Sequence, residues 1–419
     1  MNRFLYSLII YFGIPIAISK LLLKDTHDPF WKNKLKNQLG IIDKVTGKII
    51  WIHCVSVGEF NASKPLIDQL FILYPMHKIL VSTSTMTGSN EVKKHYKNKA
   101  THCFFPLDAP LIINSFIAKI NPEVCILLET EIWPNLIHSL QKKKIPVMLV
   151  NARLSEKSFE RYLRYSSRLV KKSLRSLNMI CSQNALSSNR FIALGADIEK
   201  VINTGSLKFD SQESSDLQTI SALKKVTGER AVIVFASTRD GEEKQIVDSY
   251  LKSKKTFSSL LIIVPRHPER FNEAFKIAKS SGLIVEKRSQ INQCSPDTEI
   301  LIGDSMGELM SYYAISDIAF VGGSLSNNGG QNMLEAASLS KPIIFGPSVY
   351  NFEEISKKLL DDDAAIQVAN ADELMHTISE LLSNDSRRKE LGFNAKKTFD
   401  QNRGAANKII DIIKPHIEA

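Results

Sequence analysis

Short apolar runs alternate with longer amphipathic stretches along almost the whole chain. Apolar runs bounded by turn residues are typical of buried strands, and the stretches between them have the periodicity of helices. The alternation therefore predicts an α/β fold with parallel sheets covered by helices. The predicted strands are 49–55, 79–82, 124–128, 147–151, 179–182, 231–236, 260–264, 283–285, 300–302, 318–321 and 342–345.

A polar interval at residues 210–221 divides this alternation into two halves and has the composition of a linker. The 419 residues are also enough for two cores. We therefore predict two Rossmann-like domains, over 25–209 and 222–395, that face an interdomain cleft where a ligand binds. The end of the chain, 396–419, is predicted to be helical.

One glycine-rich loop follows the strand over 318–321. It contains Gly322, Gly323, Gly329 and Gly330. Glycine lets the backbone approach a ligand, and the N–H groups at a helix start attract anionic oxygens, so the loop favours a phosphate. Asn332 and Glu335 lie three residues apart on a helix predicted for 331–339 and could hold ribose hydroxyls. A lone glycine loop is more often only a tight turn, but the strand over 342–345 favours a nucleotide site.

Two other strand ends of the second half carry groups that bind anions. Arg266 and His267 follow the strand over 260–264, where they could meet a nucleotide phosphate or base. Another predicted helix start presents the backbone amides of Met306, Gly307, Glu308 and Leu309. Together these turns predict that the second half binds a nucleotide.

Carboxylates follow two strands of the first half. The first strand runs into Ser56, turns at Gly58 and leaves Glu59 at a helix start, where the helix dipole favours the ionised form. Glu129 and Glu131 end a buried strand, and carboxylates in such places are costly unless they are paired or used. Structural alternatives stay open, since Glu59 could merely stabilise its helix and the other two could pair with basic residues.

Further groups of the first half could hold anions. Thr85 belongs to a Ser/Thr-rich turn that either holds an anionic sugar or only caps a helix. Arg153 leads into a helix with five cations on one face, among them Arg161 and Arg164. A solvated charged face is the usual explanation, but five cations without an acid favour an anionic surface partner.

Positive charge is concentrated in the first half of the chain. Its net charge is +10, and residues 1–50 hold eight Lys/Arg against three Asp, while residues 141–175 hold eleven against two Glu. Such patches bind anionic lipid, nucleic acid or a phosphorylated substrate.

The N-terminal residues are apolar. Phe4 to Ile18 is an uncharged run, shorter than the roughly 20 residues of a comfortable transmembrane helix. A cleaved signal peptide is the alternative, because Arg3 precedes the run. The lysines that follow and the five scattered cysteines favour the reducing cytoplasmic side, so we predict an uncleaved membrane anchor over 1–24.

Eight motifs occur in order across nearly the whole chain. They are WIHCVSVGE, LLETEIWPN, VNARLS, GSLKFD, ASTRDGEE, PRHPERF, IGDSMGEL and GGSLSNNGGQNMLEAASLSKPIIFGP. Together they resemble the 3-deoxy-D-manno-octulosonic acid (Kdo) transferase family of lipopolysaccharide synthesis. The sequence departs from the family pattern at Ser206, at Arg239-Asp240 and at Gln331, where the family usually has Asn, His-Glu and His.

The resemblance implies a GT-B glycosyltransferase that moves Kdo from CMP-Kdo to a lipid A precursor, lipid IVA. It places the protein at the cytoplasmic side of the cell inner membrane, in contact with membrane lipids, and implies neither a nucleic acid partner nor a metal or other cofactor. Glu59 matches the proposed general base of an inverting transfer, and Glu129 and Glu131 lie in the second acidic motif.

The resemblance also assigns residues to the two substrates. The positions that match CMP-binding residues are Arg266, the turn over 306–309, Asn332 and Glu335. Lys208 lies in a motif thought to face the cleft. Arg161 and Arg164, with the lysines of 32–36, would meet the phosphates of lipid A or of the bilayer.

Two other classes of function fit parts of the sequence. A GT-B transferase or epimerase acting on a UDP-sugar would be protected thermally by UDP rather than by CMP. A non-enzymatic binder of membranes or nucleic acids would lose binding at high salt and would not depend on Glu59.

Overall fold

The computed structural model describes residues 1–22, 29–210, 216–253 and 259–418. The chain forms two compact α/β units, one of Met1–Ser211 with Arg403–Ala419 and one of Gln212–Asn402. The predicted α/β class with two Rossmann-like units is confirmed. Residues 211–215 of the interval predicted as a linker lie outside the described residues, and its end is helical from Leu217, because the Asp216 carboxylate accepts N–H bonds from the first helical turn.

The first unit contains one sheet of seven parallel strands. They are β1 (Lys48–His53), β2 (His77–Thr83), β3 (Ala100–Phe104), β4 (Val124–Leu128), β5 (Val147–Ala152), β6 (Met179–Ser182) and β7 (Val201–Asn203). Their order across the sheet is β3-β2-β1-β4-β5-β6-β7. The helices of this unit are α1 (Arg3–Leu22), α2 (Pro29–Gln38), α3 (Val57–Leu73), α4 (Met86–Tyr96), α5 (Pro110–Ile120), α6 (Pro134–Lys142), α7 (Glu156–Ser176) and α8 (Ala185–Ala193).

The second unit also contains seven parallel strands. They are β8 (Val232–Thr238), β9 (Leu260–Pro265), β10 (Val285–Lys287), β11 (Ile300–Ile302), β12 (Ile318–Val321), β13 (Ile343–Phe345) and β14 (Ala365–Gln367). Their order is β10-β11-β9-β8-β12-β13-β14. The helices are α9 (Leu217–Thr227), α10 (Glu242–Ser253), α11 (Phe271–Ser280), α12 (Leu309–Ile315), α13 (Leu334–Ser338), α14 (Glu353–Asp361), α15 (Ala371–Ser383) and α16 (Asp385–Gln401).

Each sheet has a point where the direction of strand order reverses. In the first sheet β1 lies between β2 and β4, and in the second sheet β8 lies between β9 and β12. The chain leaves the two strands at such a point in opposite directions, which opens a crevice at their carboxyl ends where ligands of these folds bind. The pairs β1/β4 and β8/β12 therefore mark the places to look for the site.

The cores lie on both faces of each sheet, and strands such as β4 are buried along their whole length. The chain returns to the first unit through α17 (Ala405–Ile417), whose apolar face joins the core with α3. The helix predicted over 396–419 is therefore two helices, α16 and α17, because Gly404 takes a left-handed backbone conformation between them (φ 94°).

The sequence analysis also made predictions about the N-terminal residues and the cysteines. In the part of the chain that the structure describes, no helix is long and apolar enough to cross a membrane. All five cysteines are buried and none forms a disulfide.

Candidate active site

Glu59 lies in the first turn of α3, directly after β1. The helix begins at Val57, so Gly58 is a helical residue and not the turn that the sequence predicted. Ser56 is the N-cap, and its Oγ accepts the N–H of Glu59 (3.4 Å). The Glu59 carboxylate in turn accepts the N–H of Val55 (2.7 Å). Glu59 therefore does stabilise the helix start, in an arrangement close to a capping box.

The surroundings of Glu59 also change its acidity. Burial and the negative charge of Glu129 raise its pKa to about 8, and Glu131 adds to the effect, while the N–H of Val55 opposes it. A carboxyl group with a pKa near neutrality is a stronger base than an ordinary Glu and still exchanges its proton at working pH. Helix capping alone would lower the pKa, so this site favours proton transfer.

Glu129 and Glu131 lie in the loop after β4, beside β1 in the sheet. Glu129 has a left-handed backbone (φ 53°), which is uncommon for a residue with a side chain. The Glu131 carboxylate accepts a bond from the indole N–H of Trp133 (2.7 Å) and lies 3.5 Å from Nε2 of His53. The structure thus brings all three predicted carboxylates to the reversal point of the first sheet.

The other predicted residues of the first unit surround this point less closely. Thr85 caps α4 by accepting the N–H of Gly88 (3.0 Å), which is the structural alternative given for it. Arg153 lies in the loop after β5, and its backbone bonds to the loop after β4, since its carbonyl accepts the Thr130 hydroxyl (2.7 Å). These loops support one another through the backbone.

Arg161 and Arg164 are exposed on α7. Their guanidinium groups lie 5.7 and 5.9 Å from the rings of Tyr162 and Tyr165 respectively. The Tyr165 ring beside Arg164 is exposed, so the basic face of α7 also carries an apolar group.

In the second unit, the glycine loop is held by a buried carboxylate that the sequence analysis missed. Glu242 accepts backbone N–H bonds from Arg239 (2.8 Å), Gly323 (2.7 Å), Leu325 (2.9 Å) and Ser326 (3.4 Å). Burial raises its pKa, whereas the N–H donors favour the ionised form. Amides that we expected to bind a phosphate are thus engaged within the protein, which corrects that prediction.

The same loop approaches β8 closely. A Cβ at Gly322 would lie 2.8 Å from the carbonyl oxygens of Ala236 and Ser237. Only glycine fits there without movement of one backbone or the other. Close packing therefore explains one of the four glycines.

Cations gather at the carboxyl ends of β8 and β9. Arg239 donates to Nε2 of His267 (2.5 Å), and Arg266 directly precedes that histidine. Partial burial and the charges of Arg239 and Arg266 lower the pKa of His267, so this imidazole is neutral at pH 7. Arg239, which departs from the family pattern, thus lies beside the two predicted anion-binding residues.

The predicted ribose pair lies near a helix that is shorter than expected. Helix α13 covers five residues, and Asn332 lies before it instead of sharing a helix face with Glu335. The Asn332 amide nevertheless donates to the Glu335 carboxylate (3.1 Å). The expected proximity is therefore confirmed, but through a capping geometry.

The remaining residues that were predicted to bind the sugar donor lie in two places. Met306 and Gly307 precede α12, Glu308 is its N-cap and Leu309 is its first residue. Lys208 lies in the 3₁₀ helix Leu207–Phe209 of the first unit, whereas the other donor residues belong to the second. Among the described residues, no group of three or more acidic, His or Cys side chains could hold a metal ion.

The sequence analysis gave no role in the site to three residues near the strand ends: His53, which ends β1, Arg239, which follows β8, and Glu242, the first residue of α10. The signal that could have found them is their position, since each lies at or just after the carboxyl end of β1 or β8. Parallel strands that flank a reversal point place such residues in the crevice.

Comparison with known proteins gives evidence on both the family and the fold class of this chain. Residues 31–211 match the family model of 3-deoxy-D-manno-octulosonic-acid transferase, and residues 283–398 match the model of glycosyl transferases group 1. Two solved structures are similar in fold. A glycosyltransferase from Rickettsia africae aligns over 89% of this chain and 100% of its own, with 15% identity and a TM-score of 0.60. UDP-GlcNAc 2-epimerase from Neisseria meningitidis aligns over 88% and 100%, with 13% identity and a TM-score of 0.59.

These two structures show the GT-B fold class and nothing about the reaction, because their identity to this chain is low. The relative that decides the family is the 3-deoxy-D-manno-octulosonic acid transferase of Haemophilus influenzae. It is 36% identical over 425 aligned residues, which cover 100% of this chain and 99% of the relative. The chain therefore belongs to the 3-deoxy-D-manno-octulosonic acid transferase family and is a glycosyltransferase.

Proposed function

We propose that the protein transfers Kdo from CMP-Kdo to a lipid A precursor, lipid IVA, with inversion at the anomeric carbon and with Glu59 as the general base. The observation that carries this proposal is the raised pKa of Glu59 at the reversal point of the first sheet. A base matched to neutral pH is what activation of a sugar hydroxyl requires.

In the proposed step, the Glu59 carboxylate takes the proton of an acceptor hydroxyl. The hydroxyl oxygen attacks the anomeric carbon of Kdo from the face opposite CMP and forms the new glycosidic bond. The bond from that carbon to the phosphate oxygen breaks, and its electron pair leaves with CMP. One displacement of this kind inverts the configuration, and Glu59 ends the step protonated.

The second unit is proposed to hold the donor. Negative charge grows on the departing CMP phosphate, so fixed cations around it lower the barrier. Arg239 and Arg266 supply such cations at the ends of β8 and β9, and the neutral His267 can donate a hydrogen bond. Asn332 and Glu335 would hold ribose hydroxyls, and no metal is part of this proposal.

We further propose that the first unit rests on the cytoplasmic side of the inner membrane. On α1, Ser7 donates to Asn135 (3.0 Å), and this polar side of the helix docks on α6. The rest of the helix surface exposes large apolar groups, among them Phe4 (78% exposed) and Phe12 (73%). A helix that docks by one side and exposes an apolar other side suits the bilayer interface.

The decisive experiment measures Kdo transfer from CMP-Kdo, generated in the assay, to lipid IVA by product mass. We expect the wild type to add Kdo and E59Q to lose activity by at least about a hundredfold, in line with the usual contribution of a general base. E59Q keeps an oxygen that can accept the Val55 N–H, so the helix start survives. The matched control is E199Q, which removes the carboxylate of an exposed residue outside the proposed site and should transfer Kdo normally.

Several outcomes would contradict the proposal. Full activity of a folded E59Q would show that Glu59 is not the general base. Retention of configuration in the product would show that the transfer does not occur by a single displacement. A wild type that binds UDP better than CMP, or that binds CMP without transferring Kdo to lipid IVA, would overturn the donor or the acceptor respectively.

A further inference from the structure

His53 is a fully buried histidine at the carboxyl end of β1 that has no role in the proposed step so far. Its side chain is 0% exposed, and its ring stacks on Phe105 with a centroid separation of 3.8 Å. Histidine is usually found at the surface or hydrogen-bonded when buried. One of its ring nitrogens, Nε2, is buried without a hydrogen-bond partner among the described residues.

The neighbours of the other ring nitrogen decide the tautomer. Nδ1 lies 3.1 Å from the backbone carbonyl oxygen of Ser82 and 3.0 Å from its Oγ. The carbonyl oxygen can only accept, so a bare Nδ1 would face it with a second lone pair. The Ser82 hydroxyl accepts the indole N–H of Trp51 (2.8 Å) and tolerates either tautomer, so the carbonyl oxygen decides. Nδ1 therefore carries a proton, and a neutral His53 would have a bare lone pair at Nε2.

That lone pair would face a carboxylate. Nε2 lies 3.5 Å from the Glu131 Oε2 atom, and Glu131 itself is largely shielded from solvent. Two lone pairs that face each other in a buried place repel, whereas one proton between them converts the contact into a charge-assisted hydrogen bond. The pair is thus more stable with a shared proton.

We propose that His53 and Glu131 hold one proton between Nε2 and Oε2, and that His53 is thereby a positioning residue for the acidic site. The shared proton fixes the orientation of the Glu131 carboxylate beside Glu59. This proposal adds a residue to the function proposed above, and it depends on that function in the tests that measure activity.

Two uncharged groups contact His53 besides Glu131, namely Ser82 from β2 and Phe105 after β3. A proton on the ring therefore meets Glu131 as its counter-charge.

The groups near the carboxylates are also accounted for. Glu59 and Glu129 are the other carboxyl groups of the site, and burial raises the pKa of the Cys54 thiol so that it stays neutral. The Tyr162 phenol feels the charge of Glu131, and burial raises its pKa as well. Without the shared proton, as many as three negative carboxylates would lie in one buried site.

Two substitutions separate this role from a packing role. H53N places its amide near the position of Nδ1, so it can keep the bond to the Ser82 carbonyl but cannot reach Glu131. H53Q extends its amide toward the position of Nε2, so it can donate to Glu131 and loses the Ser82 bond. If the proton toward Glu131 matters, kcat of H53Q should exceed that of H53N by about tenfold, the size of a charge-assisted hydrogen bond. If His53 only packs, H53N should be the better enzyme, and that result would overturn the proposal.

The E131Q background provides the second activity test. The amide that replaces the Glu131 carboxylate in this variant carries no charge, so adding H53N to E131Q should lower kcat by no more than about twofold. An undiminished loss of kcat in the double variant would show that His53 acts without Glu131 and would contradict the proposal.

A measurement without turnover keeps the inference separate from the proposed function. Full-length protein labelled with ¹⁵N-histidine gives ring nitrogen signals, and the spectrum of H53N identifies those of His53. We expect Nδ1 to be protonated and Nε2 to be protonated or strongly hydrogen-bonded at pH 7, with the Nε2 signal shifted by E131Q. An unprotonated Nε2 that does not respond to E131Q would overturn the proposal even if Kdo transfer succeeds. The expected spectrum in a protein that transfers no Kdo would leave the pair standing and remove only the proposed function.

Discussion

At the scale of single residues, the strand ends combine backbone strain with buried polar groups. Glu129 (φ 53°), Asn151 (φ 50°) and Ser237 (φ 56°) all take the left-handed conformation at or beside the ends of β4, β5 and β8. Each such residue costs about 1–3 kcal/mol relative to a relaxed backbone. Glycine would adopt these conformations more easily, so side chains kept there favour a functional explanation, and for Glu129 this agrees with its place beside Glu59.

The raised pKa of Glu59 gives a prediction about stability. In the unfolded chain the group ionises near its ordinary pKa of 4.5, and in the folded protein near 8. Below pH 4.5 both states are protonated, so the group contributes nothing. Between pH 4.5 and 8 the unfolded state releases the proton first, so the free energy of unfolding falls as pH rises. E59Q should therefore gain stability relative to the wild type across this window, as measured by urea unfolding at pH 5, 6, 7 and 8.

E199Q serves as the control for this titration, because Glu199 is exposed. Its stability difference from the wild type should stay constant with pH. A constant difference for E59Q as well would mean that Glu59 has an ordinary pKa. That result would remove the main support for its role as a base.

At the scale of elements, the sequence predicted every strand of the two sheet interiors but missed three strands at sheet edges. The missed strands are β3, β7 and β14. Central parallel strands are buried on both faces and stand out as continuous apolar runs. An edge strand has a partly exposed face, and β7 has no buried residue at all. Composition alone cannot distinguish such a strand from a loop.

The positions of the carboxylates of the first unit and of Arg266 in the second could be predicted, because these residues directly follow strong strand signals. The role of Glu242 could not, because it depends on contacts between residues about 80 positions apart in the chain. The same contacts occupy the loop amides that the glycine pattern offered to a phosphate. A glycine motif therefore predicts a tight loop more safely than it predicts the ligand of the loop.

The dependence of the glycine loop on Glu242 can be tested with E242Q. Both carboxylate oxygens accept backbone N–H groups, so either orientation of a glutamine amide would point its NH₂ group at a donor. We expect the free energy of unfolding to fall by about 1–3 kcal/mol, the cost of leaving such a buried group unsatisfied. We also expect the affinity for CMP to fall on the order of tenfold, measured by calorimetry.

The matched control is E353Q, an exposed acid in the first turn of α14. It should change stability by no more than about 0.5 kcal/mol. If E242Q is as stable as this control and binds CMP normally, the loop does not depend on the carboxylate. If only stability falls, the loop does not form part of the CMP site.

At the scale of the whole molecule, charge and exposed apolar surface coincide in the first unit. Both Lys/Arg-rich segments, 1–50 and 141–175, belong to it. They include the exposed apolar side of α1 and the face of α7 that carries Arg161, Arg164 and the exposed Tyr165. The rest of the chain is slightly acidic, so a flat anionic surface would attract the first unit and not the second.

This asymmetry predicts that membrane binding depends on where positive charge lies and not only on its total. Each Lys or Arg near an anionic bilayer contributes about 1 kcal/mol, so R161Q/R164Q/R168Q should weaken binding to phosphatidylglycerol vesicles on the order of a hundredfold at low salt. The control K276Q/K279Q/K357Q removes the same charge from exposed positions of the second unit and should bind almost normally. Vesicle flotation at increasing salt measures the binding of both triple variants, and screening should narrow the difference in their affinities.

Equal weakening by the two triple variants would mean that net charge alone drives binding. Full binding by both would leave the apolar side of α1 as the remaining attachment, and F4S/F12S should then release the protein.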